Sequence, residues 1–281
     1  MTEPRTIFTV VSDTADIKGI LASAADYAEA VGGYLSVLAV GVDRTQVGYY
    51  YGGASAMLVQ EALTRADNDR EALVKAARDA LSQRGELRWA VEGAACQLAE
   101  LGRLVGAHAR YSDLALLPKP YGAENVEGRE AALEGVLFAG AGRVVVLPEG
   151  TGFAAPRRIL LAWNDSSEAL AATRAALPFL VAAEKVKLVV IDPPSHGRDR
   201  SDPGGAISEM LARHKVKLEI DVLAKSLPRV TDVLLRHATD SSADMIVMGA
   251  YGHSRFREAI LGGATRDMLE ASDRPVYMTH G

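Results

Sequence analysis

The chain has 281 residues, of which 48% are hydrophobic and 24% charged, and carries a formal net charge of −5 at pH 7. That length suits two domains of roughly 140 residues, and the balance is that of a globular chain with a core, which excludes a disordered or fibrous protein. The acidic total argues against a dedicated nucleic-acid binder, which would carry a basic face, and the single cysteine, Cys96, excludes an internal disulfide and a cysteine-rich zinc site.

Short β-branched runs alternate with longer segments of helical period, the pattern of a parallel sheet with helices packed on its faces. In the first half, strands are expected at Thr6–Val11, Tyr34–Gly41, Glu86–Val91, Asp113–Leu117 and Arg143–Leu147, joined by four helical segments. Between the second and third strands, Tyr49-Tyr50-Tyr51-Gly52-Gly53 reads either as aromatics that stack on a ligand or partner or as a loop packed over its own domain. Cys96 reads as opening a helical stretch after Val91-Glu92-Gly93, where a helix N-terminus would lower a thiol's pKa; a buried small residue is the plainer reading.

Turn-forming and small residues without period, Glu149-Gly-Thr-Gly-Phe-Ala-Ala-Pro156, mark a linker. The boundary falls near Thr151, giving domains 1–150 and 151–281. The second half repeats the first: strands at Arg158–Trp163, Lys185–Ile191, Lys217–Leu223, Met245–Met248 and Pro275–Thr279, and helices at Ser167–Ala182, Gly205–Arg213, Thr231–Ala238 and Arg257–Glu270. "SDLALLPKPYG" (112–122) matches "ADMIVMGAYG" (243–252), and "GRVVVLPEG" (142–150) matches "DRPVYMTHG" (273–281). The expected fold class is α/β, with two tandem five-stranded parallel-sheet domains.

The halves differ in charge. Residues 1–150 carry 14 Lys and Arg against 20 Asp and Glu, and residues 151–281 carry 17 against 16, so an anionic ligand would prefer the second half. The N-terminal MTEPRTIFTVVSD has no basic region followed by an apolar run and cleavage site, and no apolar stretch approaches ~18 residues. The expectation is a cytoplasmic chain that neither spans nor binds a membrane.

Chemistry concentrates in Gly249–Thr265, "GAYGHSRFREAILGGAT". Gly249 and Gly252 follow an apolar strand, where glycine lets the backbone take φ > 0 and lets a phosphate reach the N–H groups without meeting a Cβ. Gly262 and Gly263 follow before the last helix. The plain alternative is a strand-to-helix turn, and a glycine pattern alone is weak. Arg255 and Arg257 read as phosphate partners or as solvated charges. His253 and Ser254 with Asp244 suggest a hydrolase, but adjacent side chains do not form a triad's geometry and there is no GxSxG elbow. The six histidines (108, 196, 214, 237, 253 and 280) lack HxxxH or HExxH spacing, against a zinc site. Trp163 reads as flanking a crevice or as core.

Two glycines three apart, nine intervening residues and a third glycine resemble the nucleotide loop of the universal stress protein family, and "RRILLAWNDSSEA" (157–169) is similar to that family's opening strand and turn. The resemblance is strongest over Arg157–Gly281. It implies tandem copies of the universal stress protein (adenine nucleotide alpha hydrolase-like) fold and a site for ATP or another adenine nucleotide, with Mg2+ accompanying it. The loop residues Gly249, Gly252, His253, Gly262 and Gly263 would cradle phosphates, and Asn164 with Asp165 would hold the adenosine. Two positions depart from the family pattern: Gly263 stands where a hydroxyl residue follows the third glycine, and Asn164 where an Asp follows the first strand. In the first half Pro118-Lys119-Pro120-Tyr121 replaces Gly249-Ala250-Tyr251-Gly252. Proline gives no N–H, so that loop is expected to be degenerate, although Asp13 remains after the first strand.

The resulting expectation is a stress-response binding protein, without required turnover, whose second domain holds an adenine nucleotide. The alternative is an interaction scaffold with a decayed site, pairing as an intramolecular pseudo-dimer or a homodimer through the edge of Val276–Thr279 with protein partners of unknown identity. A slow ATPase or small-molecule hydrolase rests on fold analogy alone.

Overall fold

The computed structural model describes residues 4–44, 56–121, 127–140, 142–193, 202–250 and 263–280. The chain divides into two compact units, Pro4–Gly142 with Glu149–Ala154, and Arg143–Pro148 with Ala155–Gly281. The division interleaves: the strand Arg143–Leu147 belongs with the second unit, and the segment after it returns to the first.

The first unit holds β1 (Thr6–Val11), β2 (Tyr34–Asp43), β3 (Arg88–Gln97) and β4 (Leu114–Pro118), in the order β3-β2-β1-β4. The pairings β1·β2, β1·β4 and β2·β3 are parallel. Helices are α1 (Ala15–Lys18), α2 (Ile20–Ala30), α3 (Ala56–Ser82), α4 (Leu101–Ala109) and α5 (Arg129–Glu134), the last continuing through a π turn at Gly135–Ala139. Central strands buried on both faces need continuous apolar runs rather than alternation, and Ile7, Phe8, Val10 and Val11 of β1 are all buried. The segment after Leu147 is tied down here too: Ser23 Oγ donates to Thr151 O at 3.3 Å, and Phe153 packs on Tyr27 with ring centroids 4.8 Å apart.

The second unit holds β5 (Arg143–Leu147), β6 (Arg158–Trp163), β7 (Lys185–Ile191), β8 (Leu218–Leu223), β9 (Met245–Gly249) and β10 (Val276–Thr279), in the order β5-β10-β9-β6-β7-β8. All its pairings are parallel except β5 with β10, which run antiparallel from Val146 opposite Val276 to Arg143 opposite Thr279. Its helices are α6 (Ser167–Ala175), α7 (Leu177–Ala182), α8 (Gly205–Arg213), α9 (Val230–Asp240) and α10 (Ala264–Ala271). The strand expected as an edge, Val276–Thr279, thus has β9 on one side and β5 on the other, and Val276, Tyr277 and Met278 are buried.

Three expectations need correction. The helix expected over Ser167–Ala182 is two, because Pro178 stands in the first turn of α7 and cannot supply an N–H to continue α6. The third strand starts at Arg88 rather than Glu86 and continues past Val91 to Gln97, held in register against β2 as far as Asp43 opposite Gln97. Cys96 therefore lies at a strand end and opens no helix. Burial first, and then the Glu100 carboxylate, push its thiol pKa up, so it stays protonated rather than reactive.

Each half begins its first strand in the same way. Asp113 accepts from the backbone N–H of Arg5 (2.8 Å) and Thr6 (2.9 Å), and Asp244 accepts from that of Arg157 (2.9 Å) and Arg158 (3.1 Å). Both aspartates stand just before the fourth strand of their half, the positions that the aligned "SDLALL" and "ADMIVM" match. Asp244 is thus engaged in holding the start of β6.

Candidate functional site

In open α/β sheets a ligand crevice forms outside the carboxyl ends of strands where the strand order reverses. In the second unit that reversal lies between β6 and β9, which the chain leaves in opposite directions across the sheet. The residues emerging there are Trp163, Asn164 and Asp165 from β6, and Gly249 and Ala250 from β9.

The β6 turn is held by its own side chains. Asn164 Oδ1 accepts from Ser166 Oγ at 2.8 Å and Ser166 N at 3.3 Å, and Ser166 Oγ in turn accepts from Ala169 N at 3.1 Å, capping α6. Asp165, with φ 60, supplies the left-handed residue that brings Ser166 back over Asn164. A backbone N–H can only donate, so the atom facing Ser166 is the carboxamide oxygen, and the Asn164 NH2 is left as the outward group. Asn164 and Asp165 are exposed and Trp163 is partly exposed. Trp163 is the last residue of β6 and is not fully enclosed.

Gly249 ends β9, and its φ is not in the left-handed region. Its missing side chain is required by contact: a Cβ there would stand 2.6 Å from Ala169 N and 2.8 Å from Glu168 Cβ. The first turn of α6 occupies the space that glycine leaves. Gly263 is the N-cap of α10 at φ −66 and ψ 156, and it has no side chain with which to cap that helix's first N–H groups. Gly252, His253 and Gly262 lie outside the described residues, as do Arg255, Arg257 and the Tyr49-Tyr50-Tyr51 run.

Two further residues, neither of them among the expected nucleotide contacts, stand at the same end of the sheet. Glu168, in the first turn of α6, has its carboxyl held below the usual range by its own backbone N–H foremost; burial opposes this, while the Ser167 and Ser166 side chains and the positive field of His280 add to it. His280, just past β10, sets its Nδ1 3.1 Å from Ala250 O, and because a carbonyl only accepts, that nitrogen carries the hydrogen. Glu168 could have been found by overlaying the halves, since it lies five residues past its first strand, as Asp16 does in the first half. Among the described residues no group of three or more His, Cys, Asp or Glu could hold a metal ion, and no helix is long and apolar enough to cross a membrane.

Residues 156–280 match the model of the universal stress protein family. Through these residues the second half of the chain is similar in sequence to the universal stress protein family. It is 27% identical over 128 residues to universal stress protein Slr1230 of Synechocystis sp. (strain ATCC 27184 / PCC 6803 / Kazusa). That match covers 42% of this chain and 41% of the relative, so the chain spans about two fifths of the relative's length.

Solved structures extend the likeness to the whole chain as fold. A universal stress protein from Archaeoglobus fulgidus DSM 4304 superposes with a TM-score of 0.65 at 14% identity, covering 99% of this chain and 97% of that one. A protein described as a putative universal stress protein, from Pseudomonas aeruginosa UCBPP-PA14, gives a TM-score of 0.56 at 14% identity, over 99% and 93%. Both halves of the chain therefore share the α/β architecture of universal stress proteins, while the match to the family's sequence model is to the second half.

Proposed function

We propose that this protein acts as a stress-response binding protein of the universal stress protein type whose second unit takes an adenine nucleotide, without a required chemical step. The observation that carries the reading is the convergence of Asn164, Asp165, Trp163 and Gly249 on the strand-order reversal of the second unit. The same unit holds the glycine-rich segment, and its charge is close to balance.

The residues present fit a nucleotide in two respects. Asn164 offers an outward NH2 donor beside the partly exposed ring of Trp163, a surface on which a base can hydrogen-bond and stack. Gly263 opens α10 without a side chain at the N-cap, and the positive end of that helix favours a phosphate. Gly252, His253 and Gly262 complete the proposed set, with Mg2+ arriving on the phosphates. Glu168 sets a limit on charge, because its ionised carboxylate disfavours a bare polyphosphate nearby.

Calorimetric titration of ATP with Mg2+ into the protein, beside a Gly252→Val variant, tests this. Heat for the parent and a large loss in the variant support the reading, and quenching of Trp163 fluorescence on binding would locate the base. No heat for either leaves the alternative, an interaction scaffold with a decayed site. Equal heat moves the site elsewhere, and ADP formation above a heat-treated control would add an enzymatic step.

A further inference from the structure

The first unit has its own strand-order reversal, between β1 and β4, and a carboxylate of the chain already sits there. Asp16 is 3% exposed. Its Oδ2 accepts from the backbone N–H of Ser12 (3.0 Å) and Asp13 (3.1 Å), the two residues that leave the end of β1. Its Oδ1 accepts from Arg129 Nη2 at 3.2 Å, and the Arg129 side chain is 10% exposed. Arg129 Nη1 also donates to Lys119 O, just past β4, at 3.5 Å. One guanidinium thereby joins α1, the end of β4 and the start of α5 around a single buried anion.

Two converging N–H groups and an arginine are the components of an oxyanion site. The carboxylate fills them from within the chain, and its tether gives it an effective concentration that no free anion matches. The prolines at 118 and 120 explain why this crevice offers fewer N–H groups; they do not explain why a charged pair is buried in it, which is costly unless both ions are fully satisfied. The second unit differs at the corresponding acid: Glu168 is only partly buried and turns to its own N–H and its neighbouring serines.

We propose that Asp16 is a built-in substitute for an anionic ligand: paired with Arg129 it closes the first unit's crevice, and removing its carboxylate uncovers a site for a phosphate-sized oxyanion. The inference concerns the first unit alone and stands whether or not the second binds nucleotide. The device makes the two halves unequal: the first is filled by a carboxylate of its own chain, and the corresponding acid of the second, Glu168, turns to its own N–H and neighbouring serines.

The test is titration of inorganic phosphate into the full chain, its Asp16→Ala variant and the Asp16→Ala/Arg129→Leu double variant, with chloride at matched ionic strength as control. The expected result is one more phosphate bound per chain by Asp16→Ala than by the parent, and loss of that phosphate in the double variant. A folded Asp16→Ala variant with no additional phosphate overturns the proposal, as does a double variant that binds as well as the single one. Should Asp16→Ala fail to fold in any phosphate concentration, Asp16→Asn decides: a phosphate-specific rise in its melting temperature, larger than the parent's, supports the lock, and an equal response refutes it.

Discussion

Gly249 and Ala169 are packed so closely that the glycine could not carry even a methyl group without moving the first turn of α6: an added Cβ would lie 2.6 Å from the Ala169 nitrogen. The two nearest neighbours, the Ala169 nitrogen and the Glu168 carbonyl carbon, are backbone atoms, which cannot step aside as the end of a flexible side chain can. Gly249→Ala should therefore destabilise the second unit by about 1–3 kcal/mol. Urea unfolding with and without ATP checks it, and the loss should appear in both conditions. A loss seen only with ATP present would show that the glycine serves the ligand rather than the helix.

A second close approach lies in the first unit. α4 crosses the π turn after α5 at Gly102 and Gly106, facing Gly135 and Ala139, and a Cβ on Gly135 would run into the Gly102 carbonyl. Gly135→Ala should cost about 1–3 kcal/mol through forced separation of the two backbones. Gly85→Ala, where a Cβ would meet nothing within 4 Å, is the control and should leave the midpoint of denaturation unchanged or slightly raised. Equal midpoints for both variants would refute the packing account.

The paired aspartates make a third prediction. Asp244→Ala leaves the N–H groups of Arg157 and Arg158 without their acceptor, and Asp113→Ala does the same for Arg5 and Thr6. Because these sites are exposed and water can replace the carboxylate, each substitution should cost about 1 kcal/mol. Hydrogen exchange at the four amides should quicken in the matching variant alone. Unchanged exchange would mean that the carboxylates merely lie near the strand starts.

These pairs also show how much the sequence reveals. Period and apolar runs place every strand but the third within two residues at each end, since short apolar, β-branched runs such as those of β1, β6 and β9, bounded by turn residues, read as buried strands. The repeat of "SDLALL" in "ADMIVM" matches Asp113 with Asp244, yet what the two carboxylates hold depends on where β1 and β6 begin in space. The antiparallel seat of Arg143–Leu147 on β10 leaves no local trace, because a strand buried on both faces reads alike in either direction. At the candidate site, strand-end position points to Asn164, Asp165 and Gly249. Asp16, Glu168 and Arg129 escaped because a lone charge in a helical segment reads as solvated until its partner, here 113 residues away, is brought beside it.

The acid limb of stability offers a last prediction. Lys187 on β7 stands 2.9 Å from Glu219 and 3.0 Å from Asp221 on β8, and His237 of α9 adds a contact of 2.7 Å to Asp221. Burial pushes the Asp221 carboxyl up, but Lys187 and His237 outweigh it and hold the group below its usual range; Glu219 is held down by Lys185 and Lys187. A carboxyl with a depressed folded pKa contributes stability that is fully present above its unfolded value, about 4, and that disappears as pH falls through the lower folded value. The Lys187 ammonium is raised, by Glu219 first and then Asp221, so its share is complete below its unfolded pKa and is lost as pH rises through the folded one. Lys187→Met should therefore show its full loss of stability on the plateau between these windows, near neutral pH, and the loss should shrink as the medium is acidified below about pH 4. Denaturation midpoints of parent and variant from pH 2.5 to pH 8 check this. A loss that stays constant down to the lowest pH would assign the effect to the packing of the lysine stem rather than to its charge.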